Sequence, residues 1–152
     1  MASYIGLEKN ISYLTIPAAL FLALLPRVYS GLTGPGSKIF DPNNPRTFAA
    51  RLDSAEIDKK LRLRLQRAEA AGANAFETLG LYAAAVTAGN AAGVSAETMN
   101  VSSLGYLASR VFYTWIYIWG QENRKILPLR TVVWGFAMGF SMIMFVKASS
   151  HV

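Results

Sequence analysis

Four stretches of this chain are long enough, or nearly so, to cross a lipid bilayer: Ile11 to Leu25, Ala68 to Ala92, Val101 to Trp119 and Leu127 to Val146. A span needs about 20 helical residues, because each advances the chain only ~1.5 Å through a hydrocarbon layer of ~30 Å. Inside that layer each segment must satisfy its own backbone amides, which makes runs of this length helices. Composition agrees: 53% hydrophobic against 16% charged side chains is too apolar for an ordinary soluble domain of 152 residues. The expected fold is all-α, one integral-membrane domain over residues 1–152 forming a four-helix bundle, with spans near 11–30, 60–92, 101–120 and 127–147. The leading segment follows Glu8 and Lys9, lacks a basic start and shows no small-residue cleavage site, so it reads as a retained span rather than a signal peptide.

The net charge of +6 is less informative than its distribution. Of fifteen Lys and Arg residues, nine lie between Arg27 and Arg67, three between Arg124 and Arg130, and none between Gly93 and Asn100. Basic residues accumulate on the cytosolic side of membrane proteins, so the first and third loops are expected in the cytosol, with both termini and the short second loop opposite. No basic surface interleaved with exposed aromatics is present for nucleic acid. Cysteine is absent and the sole histidine is His151, at the tail. Thiolate nucleophiles, sulfur or histidine metal sites and Ser-His-Asp triads are therefore excluded, and no metal is expected. Chemistry here must run on Arg, Tyr, Asn, Glu, Thr and Ser, or on a group brought by a ligand.

Along the chain, Pro26 reads as the cytosolic shoulder of the first helix, and Gly31 to Pro45 has the Gly, Pro, Asn and Ser content of a loop. Asp53 to Arg67 reads as an extension of the second helix into the cytosol. Asn100 or Ser102 can cap the third, and Pro128 sits near the start of the fourth, where its missing donor costs little.

Helical geometry then tests whether the polar residues of these apolar segments converge. Asn74 and Glu77 stand in the second, and an acid at that depth marks an internal site by default. With Arg67 they fall within an arc of roughly 80°. On the third helix Tyr106, Arg110, Tyr113 and Tyr117 form a stripe roughly 60° wide, leaving Val111, Trp115 and Ile118 for lipid or packing. Arg130 and Trp134, with Thr131 beside them, begin a similar stripe on the fourth. Each feature has a second reading: Trp119 and Trp134 as interfacial anchors, Arg124, Lys125 and Arg130 as snorkelling flanks, and Glu77 with Arg110 as a purely structural ion pair. Small residues along Ala83 to Gly89, with Gly135 and Gly139, allow close helix approach, within or between subunits.

The string from Arg67 through Asn74 and Glu77 to Thr78 resembles the second-helix signature of the membrane-associated proteins in eicosanoid and glutathione metabolism, the MAPEG family. Asn44-Pro45-Arg46 looks like a loop motif of its microbial and fungal-type members. Arg110 to Tyr117 is similar to its Arg-x-x-His/Tyr-x-x-x-Tyr pattern, and Pro128-Leu129-Arg130-Thr131 resembles a Pro-x-Arg-Ser segment of an animal branch. The likeness runs in order from Asn44 to Val146. It departs at Ala70, where many animal members carry Arg, and at Tyr113, where one branch has His.

The resemblance implies a homotrimer in the endoplasmic reticulum, binding glutathione between subunits near the cytosolic side. It implies Arg67, Asn74, Glu77, Arg110, Tyr113 and Tyr117 as glutathione contacts, with Arg130, Thr131 and Tyr117 as catalytic groups at the sulfur. The polar residues of the apolar segments match that ligand, since glutathione carries two carboxylates and one ammonium and calls for several cations and one anion. The expected function is a glutathione-dependent transferase or isomerase acting on a lipophilic, electrophilic small molecule drawn from the bilayer. Two alternatives stay open: a glutathione-independent isomerase or cyclase of a natural-product intermediate, and a non-enzymatic lipid-binding membrane protein.

Overall fold

The computed structural model describes residues 9–123 and 126–150. Glu8, Arg124, Lys125 and His151, singled out above, lie outside the described residues. The fold is helical: α1 (Thr15–Leu32), α2 (Gly36–Ile39), α3 (Phe48–Ser54), α4 (Lys59–Ala91), α5 (Ala96–Ile118) and α6 (Leu127–Ser149). Short 3-10 turns stand at Ser12–Leu14, Pro45–Thr47 and Gly120–Glu122. The four long helices pack through α1 on α4, α4 on both α5 and α6, and α5 on α6.

Local chemistry explains the boundaries and revises three expectations. The second helix does not begin at Asp53: α3 ends at Ser54, and α4 starts afresh at Lys59, where the Asp58 carboxylate accepts from Leu61 N at 2.9 Å. An N-cap satisfies a donor that has no partner within the helix, so Asp58 sets this start. At its other end, Gly93 takes φ +75, the Gly93 amide donates to Asn90 O at 3.1 Å, and the Val94 amide donates to Gly89 O at 3.0 Å. That paired closure is a Schellman ending, in which the left-handed residue favours glycine. The third helix is capped by neither Asn100 nor Ser102 but by Ser95, so α5 begins a turn earlier and Asn100 is buried inside it. Pro26 is likewise no shoulder, for α1 runs through it to Leu32.

Among the described residues, two helical segments qualify as membrane spans by length and composition, Ser12–Leu32 and Leu127–Ser149. Only 33% and 17% of their apolar windows are buried, which is the opposite of a soluble protein's core helix. The other two long helices carry more polar residues. The 33 residues of α4 extend about 50 Å, well beyond a ~30 Å hydrocarbon layer.

The main core gathers Tyr82, Val86, Met99, Tyr106 and Met144 where α4, α5 and α6 meet. Close approach of α5 to α6 depends on Gly105, because a Cβ there would stand 2.5 Å from the Phe140 ring. A second cluster, Phe48, Leu52 and Leu65, fastens the first loop onto α4.

Candidate functional site

Spacings of four, three and four place Tyr106, Arg110, Tyr113 and Tyr117 on the inward face of α5. Tyr106, Arg110 and Tyr113 are 1%, 3% and 4% exposed, and Tyr117 is half-buried. Val111 and Trp115 are exposed on the opposite face, while Ile118 packs inward on Ala68 and Ala71.

A guanidinium as enclosed as Arg110 is costly unless its donors are met. Its Nη1 and Nη2 both donate to Asn74 Oδ1, each at 3.2 Å, and its charge lies 4.4 Å above the Tyr113 ring. Both contacts are to neutral groups, and Nε has no hydrogen-bond partner. The structural ion pair with Glu77 is therefore not formed: Asn74 takes the guanidinium, and Glu77, 60° further round α4, is exposed. A small cavity of about 10 Å³ touches Arg110, Tyr106 and Thr114, enough for about one water.

From Arg110 the column continues through Tyr113, whose ring meets that of Tyr117 edge-on at 5.5 Å. Arg130, from the first turn of α6, sits 4.6 Å over the Tyr117 ring. With its amide oxygen turned toward α6, Gln121 accepts from Arg130 Nη1 at 2.6 Å and from Nε at 3.3 Å. Three helices thus contribute one contiguous series, Asn74, Arg110, Tyr113, Tyr117 and Arg130, with a cation at each end of a tyrosine pair.

Not every residue named from the sequence joins it. Arg67 turns toward the end of α5, donating from Nε to Ile118 O at 3.0 Å, with Nη2 3.6 Å from Glu122 and otherwise unbonded. Thr131 is exposed, and Trp134 with it. Two participants were missed. Gln121 holds Arg130, and Glu122 gathers Arg64 at 2.5 Å, Lys60 at 3.0 Å and Arg67. The only sequence signal for them is a polar pair just after a helix end, within reach of a basic loop. Hydrogen bonds from Arg64 and Lys60 hold the Glu122 carboxyl below the usual carboxylate range.

The chain belongs to the MAPEG family, whose model matches residues 11–150, nearly its whole length. The family contains many enzymes, glutathione transferases and isomerases among them, and its members typically use glutathione. Comparison with curated proteins and with solved structures returned no match.

Proposed function

We propose that this protein is a membrane-bound, glutathione-dependent transferase or isomerase acting on a lipophilic, electrophilic small molecule. The observation that carries the reading is the Asn74–Arg110–Tyr113–Tyr117–Arg130 column, in which a buried cation meets only neutral partners and keeps an unsatisfied N–H. A structural network closes on itself, whereas a site for an anionic ligand holds donors in reserve.

In this reading α1, α4, α5 and α6 cross the membrane of the endoplasmic reticulum as a four-helix bundle, with the first and third loops cytosolic. The excess length of α4 carries Lys60 and Arg64 into the cytosol. Three copies assemble through faces that a single chain leaves uncovered. Phe112, Trp115 and Phe136 are exposed, and Gly135 and Gly139 have open space where a Cβ would stand, room for a neighbouring helix to approach closely.

The side chains fit glutathione. Arg110 and Arg67 offer donors to its carboxylates, Asn74, Tyr113 and Tyr117 add hydrogen-bonding groups, and the exposed Glu77 is available to its ammonium. Bound glutathione supplies a thiol, which is nucleophilic as the thiolate. Arg130, steadied by Gln121 and stacked on Tyr117, places a permanent positive charge beside the sulfur, and Thr131 adds a hydroxyl. A positive charge there favours the ionised sulfur, and the low dielectric of the site strengthens the effect.

Titrating detergent-solubilised protein with glutathione is expected to raise a thiolate absorbance band that Arg130→Ala removes, on particles of three chains by light scattering. No band at saturating glutathione overturns the reading. Turnover without glutathione then points to an isomerase or cyclase using Tyr113, Tyr117 and Glu77, and retained lipid without turnover to a binding protein.

A further inference from the structure

Away from that column, a cavity of about 1010 Å³ opens between the end of α1, the first loop and α4. Its walls are built rather than loose. Phe48 is buried beside Leu52 and Leu65, Phe40 meets Phe48 edge-on at 5.7 Å, and Phe40 covers Gly31. Gly36 lies so close to α1 that a Cβ would fall 2.1 Å from Ser30 O. Most of the lining is apolar, with two cations, Arg27 and Arg46, and one acid, Glu69. The Glu69 carboxylate is already engaged by the Ser30 hydroxyl. Neither arginine is among the ion pairs of the described residues, although Arg51 in the same loop pairs with Asp41 at 2.8 Å. Arg27 rests 5.4 Å over the Phe76 ring, a contact that leaves its charge unneutralised.

Depth identifies what would fill such a space. The cavity follows α1 from Arg27 to Leu32, the last residue of a helix long and apolar enough to cross a membrane, which on the proposed topology ends at the cytosolic headgroups, and Val28 and Leu32 continue it as an exposed apolar track. Two unpaired guanidinium groups above such a track match an anion carried on an apolar body at the headgroup level. We infer that this cavity binds an anionic phospholipid, its phosphodiester paired by Arg27 and Arg46 and its acyl chains lying along Val28 and Leu32. The site is independent of the thiol chemistry, so its test involves no glutathione.

Protein in neutral detergent is titrated with dioleoyl phosphatidylglycerol, dioleoyl phosphatidylcholine or water-soluble glycerol 3-phosphate while the thermal unfolding midpoint is followed. Phosphatidylglycerol alone is expected to raise the midpoint. Its half-saturating concentration is expected to rise roughly fivefold for each of Arg27→Gln and Arg46→Gln, and to stay unchanged in Arg51→Gln. Arg46→Gln by itself suffices should Arg27→Gln not fold, since Arg46 is exposed at the rim. Equal stabilisation by phosphatidylcholine, or an undiminished response in Arg46→Gln, overturns the proposal. So does an equal effect of glycerol 3-phosphate, which assigns the site to free phosphate. A change in particle mass in Arg27→Gln with no response to phosphatidylglycerol also overturns it, making the cavity a subunit contact.

Discussion

Two polar clusters lie inside this apolar protein, and they differ in whether their donors are spent. At one end, the start of α1, the close of α4 and the start of α5 bring together Asn10, Ser12, Thr15, Asn90 and Asn100. Asn100 accepts from Ile11 N at 2.8 Å and donates to Lys9 O at 2.9 Å. Asn90 accepts from Asn10 at 2.6 Å and donates to Ser12 Oγ at 2.9 Å and Val86 O at 2.8 Å. Thr15 bonds the Tyr82 hydroxyl, and the Tyr82 ring stacks on Tyr106 at 3.7 Å. At the other end, Arg110 and Arg67 each keep a buried nitrogen without a hydrogen bond, and Glu77 faces outward. The first cluster closes on itself and fixes where three helix ends meet. The second leaves charge and hydrogen-bonding capacity over, which is what recognising a charged ligand requires.

Asn100→Leu is the strongest way to break this contrast. It strips partners from two backbone groups and is expected to cost about 3 kcal/mol. Denaturation in detergent reads the loss, while the thiolate band per folded molecule stays at its parental value. Loss of the band in fully folded Asn100→Leu would mean the two clusters are not separate in function.

The converse change is expected to be milder for the fold. Asn74→Leu combined with Arg110→Met exchanges a buried charge and its acceptor for apolar side chains, and stability is expected to stay within about 1 kcal/mol of the parent or to rise. The thiolate band disappears in the same protein. A steep stability loss here would make the Arg110 cluster structural after all.

The smallest effect is set by pH at the Glu122 clamp. Its carboxyl titrates lower in the folded protein than in the unfolded chain, so its contribution is complete above the unfolded value, about 4.3, and is lost as pH falls through the folded one. Protection of the Gly120–Glu122 amides, taken as the exchange rate relative to the intrinsic rate at each pH, is expected to be flat between about pH 6 and about pH 8 and to fall only in acid. Glu122→Gln removes that acid dependence, and a response centred near neutrality would show that another group controls the turn.

Much of this is legible in the sequence. The 3.6-residue period placed Tyr106, Arg110, Tyr113 and Tyr117 on one face, and they lie there, because a stripe on a single helix follows from its own geometry. Asn74 and Glu77 were harder. They share an arc on α4, and which edge of it meets α5 depends on where α5 crosses; the crossing favours Asn74 and turns Glu77 outward. Arg67 was drawn off the same arc by a carbonyl 51 residues away. Asn100 reads as a cap in the sequence because a buried asparagine and a capping one look alike until their partners, here the backbone near Lys9, are known. Gln121 was overlooked because its partner belongs to the next helix.

The order of amino acids is enough to make this chain helical, apolar enough for a bilayer, basic in its first and third loops, and without the cysteine thiolates, histidine metal sites or Ser-His-Asp triads that other enzymes use. Those properties are sums or periods, read along one segment at a time. Tertiary structure alone decided that Asn74 rather than Glu77 meets Arg110, that Arg130 covers Tyr117 under the hold of Gln121, and that the first loop roofs a cavity with two unpaired arginines. Partner choice depends on distances between segments remote in sequence, and packing sets those distances.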